Sequence, residues 1–413
     1  MLFWFTQINI CVPAIRGFLT KEVFMRAKMV GAVTACLLML SFTLTPPVHQ
    51  ASAADIKIGV LIPLTGYIAN YGLMQETALK VAQKEFVKMG PVGGFDLKFI
   101  VYDTGSKPQD AILMAQKLMH TDKVVMILGP FLSTECEQVF PVVNREKVPI
   151  ITASSIKPGL TAANRPWTFR SVMTSDKINE PTIRKWVQDH HIKTVVILTD
   201  IKSKTSESYG KDIAPNFLTK NGVKILDNID FLTEDVDFSA QITKAKAANP
   251  DGIVLAGEYP SAANIAREAR KQGLKQPLLS DLPVTSVEFI KLGGAAVEGI
   301  YAPSDFWAEN PDPKVRTFVS KFKQEYAQDK NPNTPAASMY DTAYIARYLV
   351  GKIGLSGKPD DLQKDREKIR DGWATLKDYP GEATGKTTMD KNGDAIKDYH
   401  ALMVKGGQWV KVQ

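Results

Sequence analysis

From Ile56 onward the chain alternates short apolar runs with longer stretches whose apolar residues recur every three or four positions. Ile56-Lys57-Ile58-Gly59-Val60-Leu61-Ile62 has the length and β-branched character of a buried parallel strand. Ala78, Leu79, Ala82, Phe86 and Met89 then fall on one face of a helix spanning 75–89. The same reading gives strands at 97–102, 124–128 and 148–152, and helices at 108–120 and 134–145. A second round follows, with helices at 178–190, 209–220, 238–247, 261–272 and 287–292 and strands at 194–198, 223–231, 252–256 and 277–279. Strands alternating with helices of this length predict an α/β fold with parallel sheets covered on both faces. Eight or so such units also fit a TIM barrel. The last hundred residues argue against it, because they read as three helices (314–328, 336–353 and 361–376) followed by an Asn392-Gly393 hairpin signal. Two doubly wound lobes, with the chain crossing between them more than once, is the expected layout. Ligands in open α/β sheets bind beyond the carboxyl ends of the strands, so a shared cleft is expected between the lobes.

Composition narrows the class. The 413 residues are 44% hydrophobic and 23% charged, as in a soluble globular protein, and a prior of roughly 150 residues per domain allows two or three. The formal charge of +7 falls to +4 once residues 1–53, with four bases and one acid, are set aside. Those residues read as an export signal with an upstream extension: Met25-Arg26-Ala27-Lys28, an apolar run from Met29 to Leu44, and Ala51-Ser52-Ala53 before a cleavage at Ala54. The run is short for a membrane span. Val33-Thr34-Ala35-Cys36 imitates a lipidation box, but the apolar run continues past Cys36, against lipidation. Cys136 is then the one cysteine left after cleavage, and is expected to be a packed core residue without chemistry.

The candidate chemistry is that of binding. There is no Gly-rich phosphate loop and no Gly-x-Ser-x-Gly elbow. Asp390-x-Asn392-x-Asp394 imitates a calcium loop, but Ala395 and Ala401 stand where that loop needs Gly and Glu. His190-His191 ends a helix, where its polarity suits the dipole. No catalytic group, metal site, cofactor or nucleic-acid surface is expected. Ser133 and Thr134 sit between a strand and a helix, where unpaired N–H groups suit a carboxylate, or where either hydroxyl is simply the helix N-cap. Ser154 and Ser155 follow the next strand and can line the same cleft mouth. Tyr71 and Tyr209, each followed by glycine, are candidates for its walls.

These residues resemble the leucine/isoleucine/valine-binding type of periplasmic substrate-binding protein that serves ABC importers. The matching stretches include Pro63-Leu-Thr-Gly66, Tyr71-Gly72, Ile127-Leu-Gly-Pro-Phe-Leu-Ser133, Pro149-Ile-Ile-Thr-Ala-Ser-Ser155, Tyr209-Gly210 and Asn249-Pro250-Asp251, in order along nearly the whole chain after residue 53. The resemblance implies a type I fold of two lobes joined by a three-strand hinge, with lobe 1 at 54–173 plus 304–377 and lobe 2 at 174–303 plus 378–413. It implies a monomeric periplasmic receptor that hands a small-molecule ligand to an inner-membrane ABC permease. A ligand-sensing module for a separate signalling partner is the competing class. By resemblance, Ser133 takes the ligand carboxylate, Ser154 uses its backbone, and Tyr71 and Tyr209 wall the cleft from opposite lobes. The amine end departs from the family: Ile156 stands at its hydroxyl position and Leu282 at its acidic one. Asp281 or Glu258 is then the expected substitute, favouring an amino acid or amide. Without one, an aromatic or aliphatic carboxylic acid is expected. The family's disulfide positions are Ser106 and Leu132, consistent with a lone cysteine.

Overall fold

The computed structural model describes residues 54–326 and 331–413. The expected signal segment and Cys36 lie outside the described residues. The first lobe opens with β1 (Ala54–Ile62), α1 (Ala69–Met89), β2 (Phe95–Asp103), α2 (Pro108–His120), β3 (Met126–Leu128), α3 (Ser133–Glu146), β4 (Ile150–Thr152) and β5 (Thr168–Arg170). The second holds α4 (Ser175–His190), β6 (Thr194–Asp200), α5 (Lys204–Ser208), a π turn (Tyr209–Ile213), α6 (Ala214–Lys220), β7 (Lys224–Phe231), α7 (Ser239–Ala248), β8 (Gly252–Ala256), α8 (Tyr259–Lys271), β9 (Leu278–Ser280), α9 (Val287–Gly293) and β10 (Tyr301–Ser304). The chain returns for α10 (Pro313–Glu325), α11 (Thr334–Lys352), α12 (Leu362–Ala374) and the hairpin β11 (Thr388–Met389) with β12 (Ala395–Ile396). It ends in the second lobe with β13 (His400–Lys405) and β14 (Gln408–Lys411).

Sheet one has the order β2-β1-β3-β4-β5 and is parallel throughout. Sheet two has the order β14-β13-β10-β9-β8-β6-β7, parallel except for the two C-terminal strands. The central strands of each sheet are buried on both faces, which is why they are nearly unbroken apolar runs, whereas the edge strands β2 and β7 carry polar residues and are partly exposed. Ile58, Val60 and Leu128 pack under α1 and α11, while Leu61, Ile127 and Ile150 pack against α2 and α3. In the second lobe, Val196, Leu198 and Leu255 face α7 and α8, and Ile197 and Val254 face α4 and α6.

Four strands escape the sequence reading. β5 has three residues, and β10 contains Pro303, which counts against a central strand. β13 and β14 form the terminal hairpin that completes sheet two. The Asn392-Gly393 turn does join the short antiparallel pair β11–β12, as its chemistry predicts.

Three short passages connect the lobes: after Arg170, after Ser304 and between Ile396 and His400. The third comes later than the expected boundary at 378, because Tyr379, Ala383, Met389 and Ala395 all pack in the first lobe's core. Buried ion pairs brace the passages. Arg170 Nε lies 2.8 Å from Asp394, tying the first to the approach of the third, and Lys397 Nζ lies 3.7 Å from Asp305, tying the third to the second. Among the described residues no helix is long and apolar enough to cross a membrane.

Candidate ligand-binding site

A small cavity lies between the lobes, beyond the carboxyl ends of strands from both sheets. From the first lobe come Tyr71 on the first turn of α1, Phe131, Leu132 and Ser133 after β3, Ser154 and Ile156 after β4, and Pro335 on α11. From the second come Thr205 on α5, Glu258 after β8, and Leu282, Pro283 and Thr285 after β9. Its wall is mostly apolar, with a few convergent polar groups, the lining of a small-molecule site.

Three hydroxyls form one cluster. Ser133 Oγ lies 2.7 Å from Ser155 Oγ and 2.7 Å from Thr205 Oγ1, the latter across the cleft. Leu132, not Ser133 or Thr134, is the N-cap residue of α3, so neither hydroxyl is consumed as a cap. The task falls instead to Glu135, whose carboxylate accepts the Leu132 N–H at 3.0 Å and holds the loop that carries Ser133. Burial pushes the Glu135 carboxyl up to about 7. Ser154 accepts a hydrogen bond from Gln75 Nε2 at 2.8 Å, which leaves its own proton free to donate. Thr134 is half-buried and outside the cavity wall, and Ser155 reaches the site only through Ser133.

Glu258 is the acid in the wall. It is 4% exposed, Ser203 Oγ donates to its Oε1 at 3.0 Å, and among the described residues Oε2 has no partner. Desolvation, reinforced by Asp200 and Asp281 and opposed by the Ser203 bond, pushes its carboxyl up to about 7. Asp281 does not serve the cavity. Its oxygens accept from Ser175 at 2.6 Å, Asn179 at 2.7 Å and the Leu282 N–H at 2.7 Å, so it braces the turn that brings Leu282 into the wall. Burial raises its carboxyl to about 6 despite these donors.

The two tyrosines part company. Tyr71 stacks on Phe131 at 5.3 Å, meets the edge of Tyr259 at 5.0 Å and donates its hydroxyl to Pro283 O across the cleft. Tyr209 is fully buried in the second lobe among Ile183, Trp186, Ile197 and Val254, and does not line the cavity. Here the tight fit of the π turn against the sheet wins: a Cβ on Gly210 would meet Thr199 Oγ1 at 2.2 Å, and that closeness seats the neighbouring ring inside the lobe. Cys136 is buried and free, and burial pushes its thiol up to about 12, so it is inert at neutral pH. Among the described residues no cluster of His, Cys, Asp or Glu is fit to hold a metal.

Residues 55–408, which build this two-lobed sheet pair and its cavity, match the family model described as periplasmic binding protein. The chain belongs to the periplasmic binding protein family. Among similar members, the leucine-, isoleucine-, valine-, threonine- and alanine-binding protein of Pseudomonas aeruginosa is 28% identical over 353 residues, 84% of this chain and 88% of that one. The branched-chain amino acid binding protein LivJ of Streptococcus pneumoniae, solved with isoleucine, is 26% identical with a TM-score of 0.76, covering 87% of this chain and all of that one, 100%. A solute-binding protein of Rhodopseudomonas palustris solved with benzoate superposes with a TM-score of 0.77 at 19% identity, covering 87% and 95%. As a periplasmic binding protein, the chain adds Phe131, Leu132, Thr205, Pro283, Thr285 and Pro335 to the cavity wall beyond the sequence expectation.

Proposed function

We propose that this chain is the solute receptor of an ABC importer, and that its lobes close on an α-amino acid with a branched apolar side chain. The observation that carries this is that one small cavity holds both a hydroxyl cluster at Ser133 and a buried, half-satisfied acid at Glu258. A carboxylate takes the hydroxyl end, where each charge-assisted hydrogen bond is worth about 1.5–3 kcal/mol. An ammonium takes Glu258 Oε2, and the side chain lies against Ile156, Leu282 and Phe131. The names of the relatives from P. aeruginosa and S. pneumoniae support this ligand class. The same membership supports export to the periplasm and delivery to an inner-membrane permease, as does the signal segment expected from the sequence.

A second reading has its own observation. Ile156 and Leu282 put only carbon where an ammonium would seek partners, and Asp281 is already engaged. An aromatic carboxylic acid, as in the R. palustris protein, fits such a wall. Proton linkage separates the two. An ammonium beside Glu258 lowers its pKa from about 7, so leucine binding releases protons and tightens about tenfold from pH 6 to pH 8. An anion without a cation raises that pKa, so benzoate would take up protons and bind more weakly at pH 8. Calorimetry with both ligands in two buffers of different ionisation heat reads the sign directly. Proton uptake with the tighter ligand would overturn the amino-acid reading.

A further inference from the structure

The second lobe presents its own hydroxyl to the anion end of the cavity. Ser155, Ser133 and Thr205 form one chain of hydroxyls at 2.7 Å spacing, with the lobe boundary falling between the last two. A hydroxyl has one proton to give. Three hydroxyls joined by two bonds therefore keep one proton uncommitted. Ser133 and Thr205 line the cavity, whereas Ser155 does not. Ser155 to Ser133 to Thr205 is the direction that turns the spare proton of Thr205 to the ligand; the other, with Ser155 and Thr205 both donating to Ser133, leaves that proton on Ser133.

We propose that Thr205 is a ligand-carboxylate residue, donating its proton to the anion while it accepts from Ser133, so that the ligand joins the hydroxyl pair that already links the lobes. This rests on the carboxylate reading above. The loop that carries Thr205 is pinned: Asp200 Oδ1 accepts from Lys202 N at 3.0 Å and Ser203 N at 3.3 Å, and Ser203 Oγ donates to Glu258 while accepting from Ser206 N at 3.3 Å. One short segment of the second lobe therefore holds both the anion donor and the partner of the buried acid. A ligand that spans the two engages that segment at both ends. Hydrogen bonds to an ionised acceptor are roughly twice as strong as those between neutral groups, so the carboxylate strengthens closure beyond what Ser133 alone provides.

The test uses L-leucine and L-leucinamide, which differ in the carboxylate. Thr205→Val should weaken leucine about 10- to 100-fold and leucinamide by less than about threefold, while Thr205→Ser should return leucine to within about threefold of the parent. Thr205→Ala replaces the valine variant if circular dichroism shows the latter unfolded. Equal losses on both probes, or no loss on leucine, overturn the role of Thr205. If the parent takes benzoate and not leucine, benzoate and benzamide form the pair and the same pattern is read. A parent that takes neither anion overturns the carboxylate reading itself, and Thr205 falls with it.

Discussion

Ser133 and Glu258 divide the cavity chemically, and single side chains test that division. Ser133→Ala removes a donor and leaves Ser155 and Thr205 without their shared partner, so carboxylate ligands should bind about 10- to 100-fold more weakly by calorimetry. Unchanged affinity would remove Ser133 from the site. The tyrosines give a paired contrast. Tyr71→Phe deletes a bond that reaches Pro283 across the cleft and should weaken any ligand that needs closure. Tyr209→Phe deletes a buried hydroxyl that has no partner among the described residues, so it should leave affinity alone and change stability by less than about 1 kcal/mol. At this scale the sequence was only partly legible. Ser133 and Ser154 could be read because each follows an apolar strand at a place where ligands bind, whereas Ile156 and Leu282 were reached only through the family resemblance. Asp281 could not be told from Leu282, since only the local turn decides which of two neighbours faces the cavity. Thr205 sits in Lys202-Ser203-Lys204-Thr205-Ser206, a polar stretch that reads as an ordinary loop until the second lobe closes on the first.

Helices meet strands through glycine at two matching places. Gly72 on α1 lies so close to the turn after β1 that an added Cβ would stand 2.0 Å from Pro63 O, and Gly210 meets Thr199 Oγ1 at 2.2 Å and Ala256 Cβ at 2.8 Å. The obstacle at Gly72 is backbone, which cannot rotate away, whereas at Gly210 the obstacles are side-chain atoms, those of Thr199 able to rotate. Gly72→Ala should therefore be the costlier change, within or above the usual overpacking range of about 1–3 kcal/mol, with Gly210→Ala below it in denaturant unfolding. The reverse order would mean that α1 is free to shift. These elements were the most legible part of the chain, because long amphipathic helices and buried strands announce themselves by period. The short strands β5 and β10 were not, for three or four residues carry no period, and pairing within a sheet is what makes them strands.

The whole molecule carries buried acids whose protons are bound only in the folded state. Burial raises Glu258 and Glu135 to about 7, and Asp281 and Asp305 to about 6. The unfolded chain releases these protons near pH 4, so their contribution to stability is full below that and is lost as pH rises through 6 and 7. The ligand-free melting temperature should therefore fall between pH 5 and pH 8. Glu258→Gln should flatten the fall, by an amount on the order of 3 kcal/mol for one carboxyl moved from 4.5 to about 7. A melting temperature as steep in the variant as in the parent would deny Glu258 its burial. Lobe architecture was legible from the two rounds of strand and helix, but the late third passage was not, because residues 379–395 are short and irregular and show their allegiance only by packing. That passage makes each lobe a mosaic of separate sequence segments. A backbone cut at residues 171–174 would leave two strands of chain still joining the halves, with Arg170 clasped to Asp394 beside the break. Such a nicked protein should run as one particle in native buffer and as two pieces only in denaturant, which makes the hinge a natural seam for a split, self-reassembling receptor.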